Sequence, residues 1–252
     1  AAKKHNMKVI FGVEANVVDD AVEIVLNPRE ELLAEAEYVV FDIETTGLSI
    51  LSSKIIELAG VKMRNGKVID KFETFINPHE PIPYNIQQLT NITDDMVKDA
   101  PELEPKLREF VGFVGDAVLV AHNARFDIGF IQANLKNLGM PELTNPVLDT
   151  LEFARMLHPT LKNHRLNTLA EKYRVSLENH HRAVDDAAAL GGILFGLIAD
   201  AKQKGIEGLH QLNEHAGKDL SNARPFHCGV YALNAKGKKN LFKLISLSHT
   251  QY

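Results

Sequence analysis

The sequence predicts an α/β layer fold, a mixed sheet flanked by helices. Three observations predict it. Strand patterns come first as a meander over residues 37–76, then alternate with helical patterns up to residue 203. The runs 39–41, VVF, and 117–121, AVLVA, are apolar without alternation, as in strands covered on both faces. The chain has 252 residues, 45% of them hydrophobic and 24% charged, which is enough apolar material for a sizeable core.

Taken in order, residues 7–18, MKVIFGVEANVV, read as β-rich, and Asn27-Pro28 breaks that stretch. A short helical segment from Arg29 to Ala36 leads into a strand at 37–44. Strands at 54–63 and 67–76 flank Asn65-Gly66, a dipeptide at ease with positive φ and therefore a hairpin signal. Asn77-Pro78 ends the meander. Helices follow at 84–89, 93–98 and 102–114, then the buried strand at 117–122. A helix over 125–138 stops at Gly139, with Pro141 beyond it. A strand or helix start falls near 147–157, a short helix at 166–173 and a long one at 182–203. Residues 205–225 read as a short helix and a polar linker, and 226–252 as strand, turn and amphipathic helix. The two ends, 1–30 and 226–252, are each β-rich and too short to hold a core. They are expected to form a split domain into which the central unit is inserted.

Net charge is −5, which argues against gripping duplex DNA by bulk electrostatics. It leaves room for an enzyme that touches a few phosphates through bound cations, which net charge does not count. One cysteine, Cys228, excludes an internal disulfide framework and fits a reducing, cytoplasmic setting. No signal pattern or bilayer-length apolar stretch is present, so no membrane partner is expected. Ala1 in place of Met fits a fragment or processed chain.

Three stations carry carboxylates. In VVFDIETTG, Asp42 and Glu44 share one strand face while Phe41 and Ile43 point the other way. In HNARFD, Asp127 lies on one helical stripe with Ile131, Leu135 and Leu138. In HHRAVDDAAAL, Asp186 joins the stripe of Ala183, Ala187, Leu190, Leu194 and Leu197, whereas Asp185 turns about 100° away. Each alone has an ordinary reading: a solvated strand end, an acid complementing a helix dipole, and, for His181, a helix cap. Together they place Asp42, Glu44, Asp127 and Asp186 on inward faces. Buried like charges repel unless protonated or bound to metal. All-oxygen donors suit hard ions such as Mg²⁺ or Mn²⁺. Two such ions about 3.5–4 Å apart clamp the attacking and leaving oxygens of a phosphodiester. A neutral histidine nearby can take the proton of an attacking water.

The set D-x-E, N-x-x-F-D and H-x-x-x-x-D, here Asp42 with Glu44, Asn123 to Asp127, and His181 with Asp186, resembles the DEDDh family of 3′–5′ exonucleases. The resemblance runs from about Tyr38 to Ala201, with motif order and spacing matching throughout. It implies an RNase H-like fold over 36–203, four carboxylates on two metal ions, His181 as general base, and nucleoside 5′-monophosphate released from a 3′ end. Thr45, Leu48, Asn123 and Phe126 match positions that line the terminal nucleotide in that family. The flanks resemble PHP-domain fragments, so the whole is similar to the exonuclease inserted in the PHP domain of PolC-type replicative DNA polymerase III α subunits. Glu14 and His227 match PHP metal-ligand positions, but the opening His-rich motif of that domain is absent, so a working PHP site is not expected. This resemblance implies proofreading of a single-stranded DNA 3′ end, with the replicative polymerase and its accessory subunits as partners. An exoribonuclease of the same family and a catalytically silent structural module are the alternatives.

Of the remaining residues, Glu57 in KIIELAG suits either a place behind the acids or an exposed strand position. His158, His164 and His215 lack partner spacing and read as surface or capping residues.

Overall fold

The structure is a computed structural model that describes residues 9–17, 23–176, 183–216 and 226–250. These fall into two compact units, one made of 23–216 and the other of 9–17 with 226–250.

The larger unit is built on a six-stranded mixed sheet among the described residues. Its strands are β2 (Val25–Leu26), β3 (Glu37–Thr45), β4 (Ile55–Arg64), β5 (Lys67–Phe75), β6 (Val118–Ala121) and β7 (Val147–Asp149). They lie in the order β2-β7-β6-β3-β4-β5. The meander β3-β4-β5 is antiparallel, with Asn65 and Gly66 at φ 51 and 73 as a type I′ turn requires. β3 runs parallel to β6, and β6 to β7, through helical crossovers. The helices are α1 (Tyr84–Thr90), α2 (Asp94–Val97), α3 (Leu103–Val114), α4 (Ala124–Asn137), α5 (Thr150–Leu157), α6 (Leu166–Tyr173), α7 (Ala183–Gln203) and α8 (Gln211–His215). Among the described residues, no helix is long and apolar enough to cross a membrane.

Strand alternation divides the core. Val39, Phe41 and Ile43 pack with Leu107, Phe110, Phe130 and Ile131 of α3 and α4. Tyr38 and Val40 pack on the opposite side with Phe153, Ala187, Leu190 and Leu194 of α5 and α7. α7 lies so close to the sheet that a Cβ on Gly191 would collide with the Met63 sulfur. A strand end emerging between two such layers is where a site opens in α/β sheets.

Two local readings are corrected. Residues 29–36 form no helix: Leu32 bridges Gly208, Leu33 N donates to Glu207 O, and Leu209 N donates to Glu31 O. Tertiary backbone pairing takes the groups that a lone helical turn would have used. Val25-Leu26 pairs antiparallel with β7 and thus completes the main sheet, held by Asn213, whose side chain accepts from Ile24 N and Val25 N. The larger unit therefore reaches further at both ends than 36–203.

In the smaller unit, β1 (Phe11–Val17) pairs antiparallel with β8 (Phe226–Ala232), and α9 (Ala235–Thr250) follows. Lys238 Nζ stands 3.8 Å over the Phe11 ring. Glu14 and His227 approach to 3.8 Å with both side chains exposed. Val9, Ile10, Phe11, Phe226, Tyr231 and Phe242 are also exposed, more apolar surface than so small a unit can cover.

Candidate active site

Asp42 and Glu44 project from the end of β3 on the α7 side, both half-buried. A register shift between Glu44 and Thr45 ends the regular pairing there. Asp127 lies in the first turn of α4, 4% exposed, and Asp186 in the first turn of α7, 8% exposed. Asp185 is less covered than Asp186, in keeping with its turn away from the apolar stripe.

These acids lie within reach of one another's charge. Burial pushes the Asp42 carboxyl well above the usual range, and the charges of Asp127, Glu44, Asp186 and Glu57 push it the same way. Burial raises Glu44 to about 7, with Glu57 and Asp186 adding to it. Asp127 is raised to about 8, mainly by burial and then by Asp149 and Glu44, against the pull of its own backbone N–H and that of Ile43. Among the described residues, no three His, Cys, Asp or Glu side chains close into an ion cage. The acids are neighbours in one repulsive field. Their all-oxygen chemistry fits hard divalent cations, and a cation is what would relieve that field.

His181 lies outside the described residues. Thr45 is buried, and its hydroxyl donates to Gly47 O at 2.7 Å. Leu48 stands 84% exposed in the following loop. In that same loop the Ile50 side chain lies against Gly129 of α4, close enough that a Cβ there would push its Cδ1 aside. Gly129 is near Phe126, which is half-buried against Phe130 at 5.1 Å between ring centroids. Asn123 is exposed and sits in the left-handed region at φ 70. Thr45 and Leu48 thus flank the start of the loop that rests on α4, the helix that follows Asn123 and carries Phe126 in its first turn.

Two further acids lie beside this set: Glu57, which the sequence left between two readings, and Asp149, which it did not single out. Glu57 on β4 is fully buried, directly opposite Glu44 in the ladder. Ile55 to Val61 is buried at every position, so the reading behind the acids holds and the exposed one does not. Asp149 is 7% exposed and binds three backbone donors. Its Oδ1 accepts from Asn123 N at 3.0 Å and Leu151 N at 2.9 Å, and its Oδ2 accepts from Ala124 N at 3.0 Å. Asp149 thereby caps α5 and fixes the left-handed turn that starts α4. Burial holds its carboxyl above the usual range despite those donors. Asp-Thr-Leu opening a helix was its N-cap signal in the sequence.

The other histidines are more engaged than their spacing suggested. His158 Nε2 lies 2.8 Å from the Tyr173 hydroxyl and 2.9 Å from Asp200, tying the end of α5 to α6 and α7. His164 Nε2 lies 2.8 Å from His158 O, and His215 remains on the surface. Burial lowers His122 to about 4, and its Nδ1 lies 3.0 Å from Thr150 Oγ1.

Comparison with known proteins agrees with this geometry. A family model described as Exonuclease, of the RNase T type, matches residues 39–194, from β3 into α7. The DNA polymerase III PolC-type of Halalkalibacterium halodurans is 52% identical over 253 residues, and that of Bacillus subtilis 51% over 255. Both alignments cover 100% of this chain and 18% of the relative, so the chain spans under a fifth of their length. Among solved structures, exonuclease X with 5′-overhanging duplex DNA aligns at TM-score 0.56 and 24% identity, covering 71% of this chain and 98% of that one. The zinc-bound E. coli exonuclease I–single-stranded DNA complex aligns at TM-score 0.59 and 17% identity, covering 68% and 42%. These two show a shared RNase H-like fold. With the model spanning more than half of its residues, over the very elements that bring the acids together, this chain belongs to the RNase T-type exonuclease family.

Proposed function

We propose that this chain is the 3′–5′ proofreading exonuclease of a PolC-type DNA polymerase III, removing nucleotides from single-stranded DNA 3′ ends. The observation that carries this reading is the field at Asp42, where acids from β3, β4, α4 and α7 act on one carboxyl. The identity with PolC-type polymerases over the whole chain favours DNA over RNA.

Asp42, Glu44, Asp127 and Asp186 would hold two Mg²⁺ or Mn²⁺ ions. Bound there, such ions supply charge neutralisation and Lewis acidity toward a phosphodiester. His181 is the general base that takes the proton of the attacking water. Thr45, Leu48, Asn123 and Phe126 line the terminal nucleotide, which leaves as a 5′-monophosphate. Leu48 gives an exposed apolar side chain to a base face, and Phe126 a ring edge. Asp149 keeps the Asn123 turn in register with Asp127.

The outer parts of the two ends, through Val17 and from Phe226, are pieces of one PHP-like domain interrupted by the exonuclease, whose own unit takes in Val25-Leu26. The pairing of β1 with β8 and the uncovered apolar side chains beside them support this. Within a chain of that kind, the replicative polymerase and its accessory subunits are the partners, and the setting is the cytoplasm.

Mononucleotide release from 3′-labelled single-stranded DNA with Mn²⁺ tests the assignment, with a matched RNA alongside. Release should stop on chelation, and Asp42→Ala should lose at least about 10²–10³-fold, since an ion-holding group supplies several kcal/mol. A variant as fast as the parent, or a faster rate on RNA, would overturn it.

A further inference from the structure

Glu57 is the third residue of β4, 0% exposed. Opposing glutamates in a ladder are unfavourable, and burying one adds to the cost. It makes a contact that bridges 126 positions of sequence: Glu57 Oε2 accepts the backbone N–H of Ala183 at 3.3 Å. Ala183 is the first residue of α7. The first N–H groups of a helix have no partner within it, and that end carries partial positive charge. A carboxylate behind the strand answers both.

The contact lies where the site is assembled. Asp186 stands three residues after Ala183, and His181 two before it in sequence. Further along α7, Gly191 rests on Met63. α7 is thus held to β4 at both places, and the first fixes its opening turn beside Asp42 and Glu44.

We propose that Glu57 is a positioning residue: by accepting the Ala183 N–H it holds the first turn of α7 so that Asp186 meets the acid cluster. This rests on the exonuclease reading above and deepens it. Glutamine at this position keeps the shape and the acceptor oxygen, and alanine removes both. The pair separates a structural support from an ion ligand.

The test uses the full chain, with Mn²⁺ affinity from calorimetry and kcat and KM on labelled single-stranded DNA. Glu57→Ala should weaken Mn²⁺ binding by about 10–100-fold, the usual effect of losing a group behind metal ligands. It should lower kcat by about 100-fold, with KM within about threefold, as misplacement of reacting groups does. Glu57→Gln should recover both to within about threefold of the parent. If Glu57→Gln loses Mn²⁺ as deeply as Glu57→Ala, Glu57 is an ion ligand and the proposal is overturned. If Glu57→Ala melts lower yet keeps parental Mn²⁺ affinity and kcat, its role is structural only and the proposal is overturned again. Should Glu57→Ala not fold, Glu57→Met fills the volume without an acceptor and is read in the same way. Asp42→Ala in the same assays reads the exonuclease assignment by itself. A parent chain that binds Mn²⁺ but cuts no DNA overturns that assignment, while calorimetry still decides Glu57.

Discussion

At Asp42 four other carboxylates push in one direction, and the consequences are measurable. Glu44 at about 7 and Asp127 at about 8 hold their protons more tightly in the fold than in the unfolded chain. Protonation therefore stabilises the native state. That contribution is whole below about pH 4, where the unfolded groups are also protonated, and is withdrawn as pH rises through 7–8. In EDTA, the melting temperature should fall from pH 5 to pH 9, and saturating Mn²⁺ should flatten the fall. A metal-free Tm that climbs over that range would contradict the described field. Because those acids must lose protons to take a cation, Mn²⁺ affinity should rise over the same window, with proton release seen as a buffer-dependent heat. Asp127→Asn should raise the metal-free Tm at pH 8 while cutting Mn²⁺ affinity by at least about 10-fold, a trade that scanning calorimetry with and without the ion would expose. Among single residues, the four acids were legible because strand alternation and helical stripes say which way a side chain points. Glu57 was ambiguous because one polar residue in an apolar run looks the same whether it ends a face or lies beneath a site.

Elements divide along the same line. Most strands and helices declared themselves through apolar period and punctuation. Asn65-Gly66 marked its hairpin because the turn needs two positive φ values. Gly66→Ala should destabilise by about 1 kcal/mol from the left-handed strain alone, with nothing near enough to clash. Nucleotide release should stay at the parental rate; a loss of activity there would mean that the hairpin does more than close the sheet. Asp149 is different, since it caps α5 and ties down the start of α4 together. Asp149→Ala should cost about 2–3 kcal/mol in chemical denaturation and weaken mononucleotide binding, because the Asn123 turn loses two of its holds. What the sequence could not disclose at this scale was pairing over long separations. Residues 29–36 have helical composition, yet residues 207–209 take their backbone groups. Val25-Leu26 is too short to register as a strand until β7 lies beside it.

For the molecule as a whole, the order of strands and helices was enough to predict a mixed sheet between helical layers. The extent of the larger unit was not, because β2 and Asn213 join it through contacts nearly 190 positions apart. A chain trimmed to 22–216 keeps the entire main sheet and the four acids. It should fold cooperatively and release mononucleotides within a few-fold of the full chain; circular dichroism and the same DNA assay would check this. If the trimmed chain is unfolded, the two units are not independent. The pairing of β1 with β8 has a further consequence for biosynthesis. The ribosome makes Phe11–Val17 before β8 and must add residues 18–225, 208 positions, before its partner begins. At about 5–20 residues per second the first strand waits some 10–40 s with its hydrogen-bonding edge open. Its own side chains at 11 and 17 are apolar and remain exposed even after pairing. In that interval the nascent strand is available to any other unpaired edge, so slow translation of the insert should favour aggregation, and a chaperone that shields extended segments should suppress it.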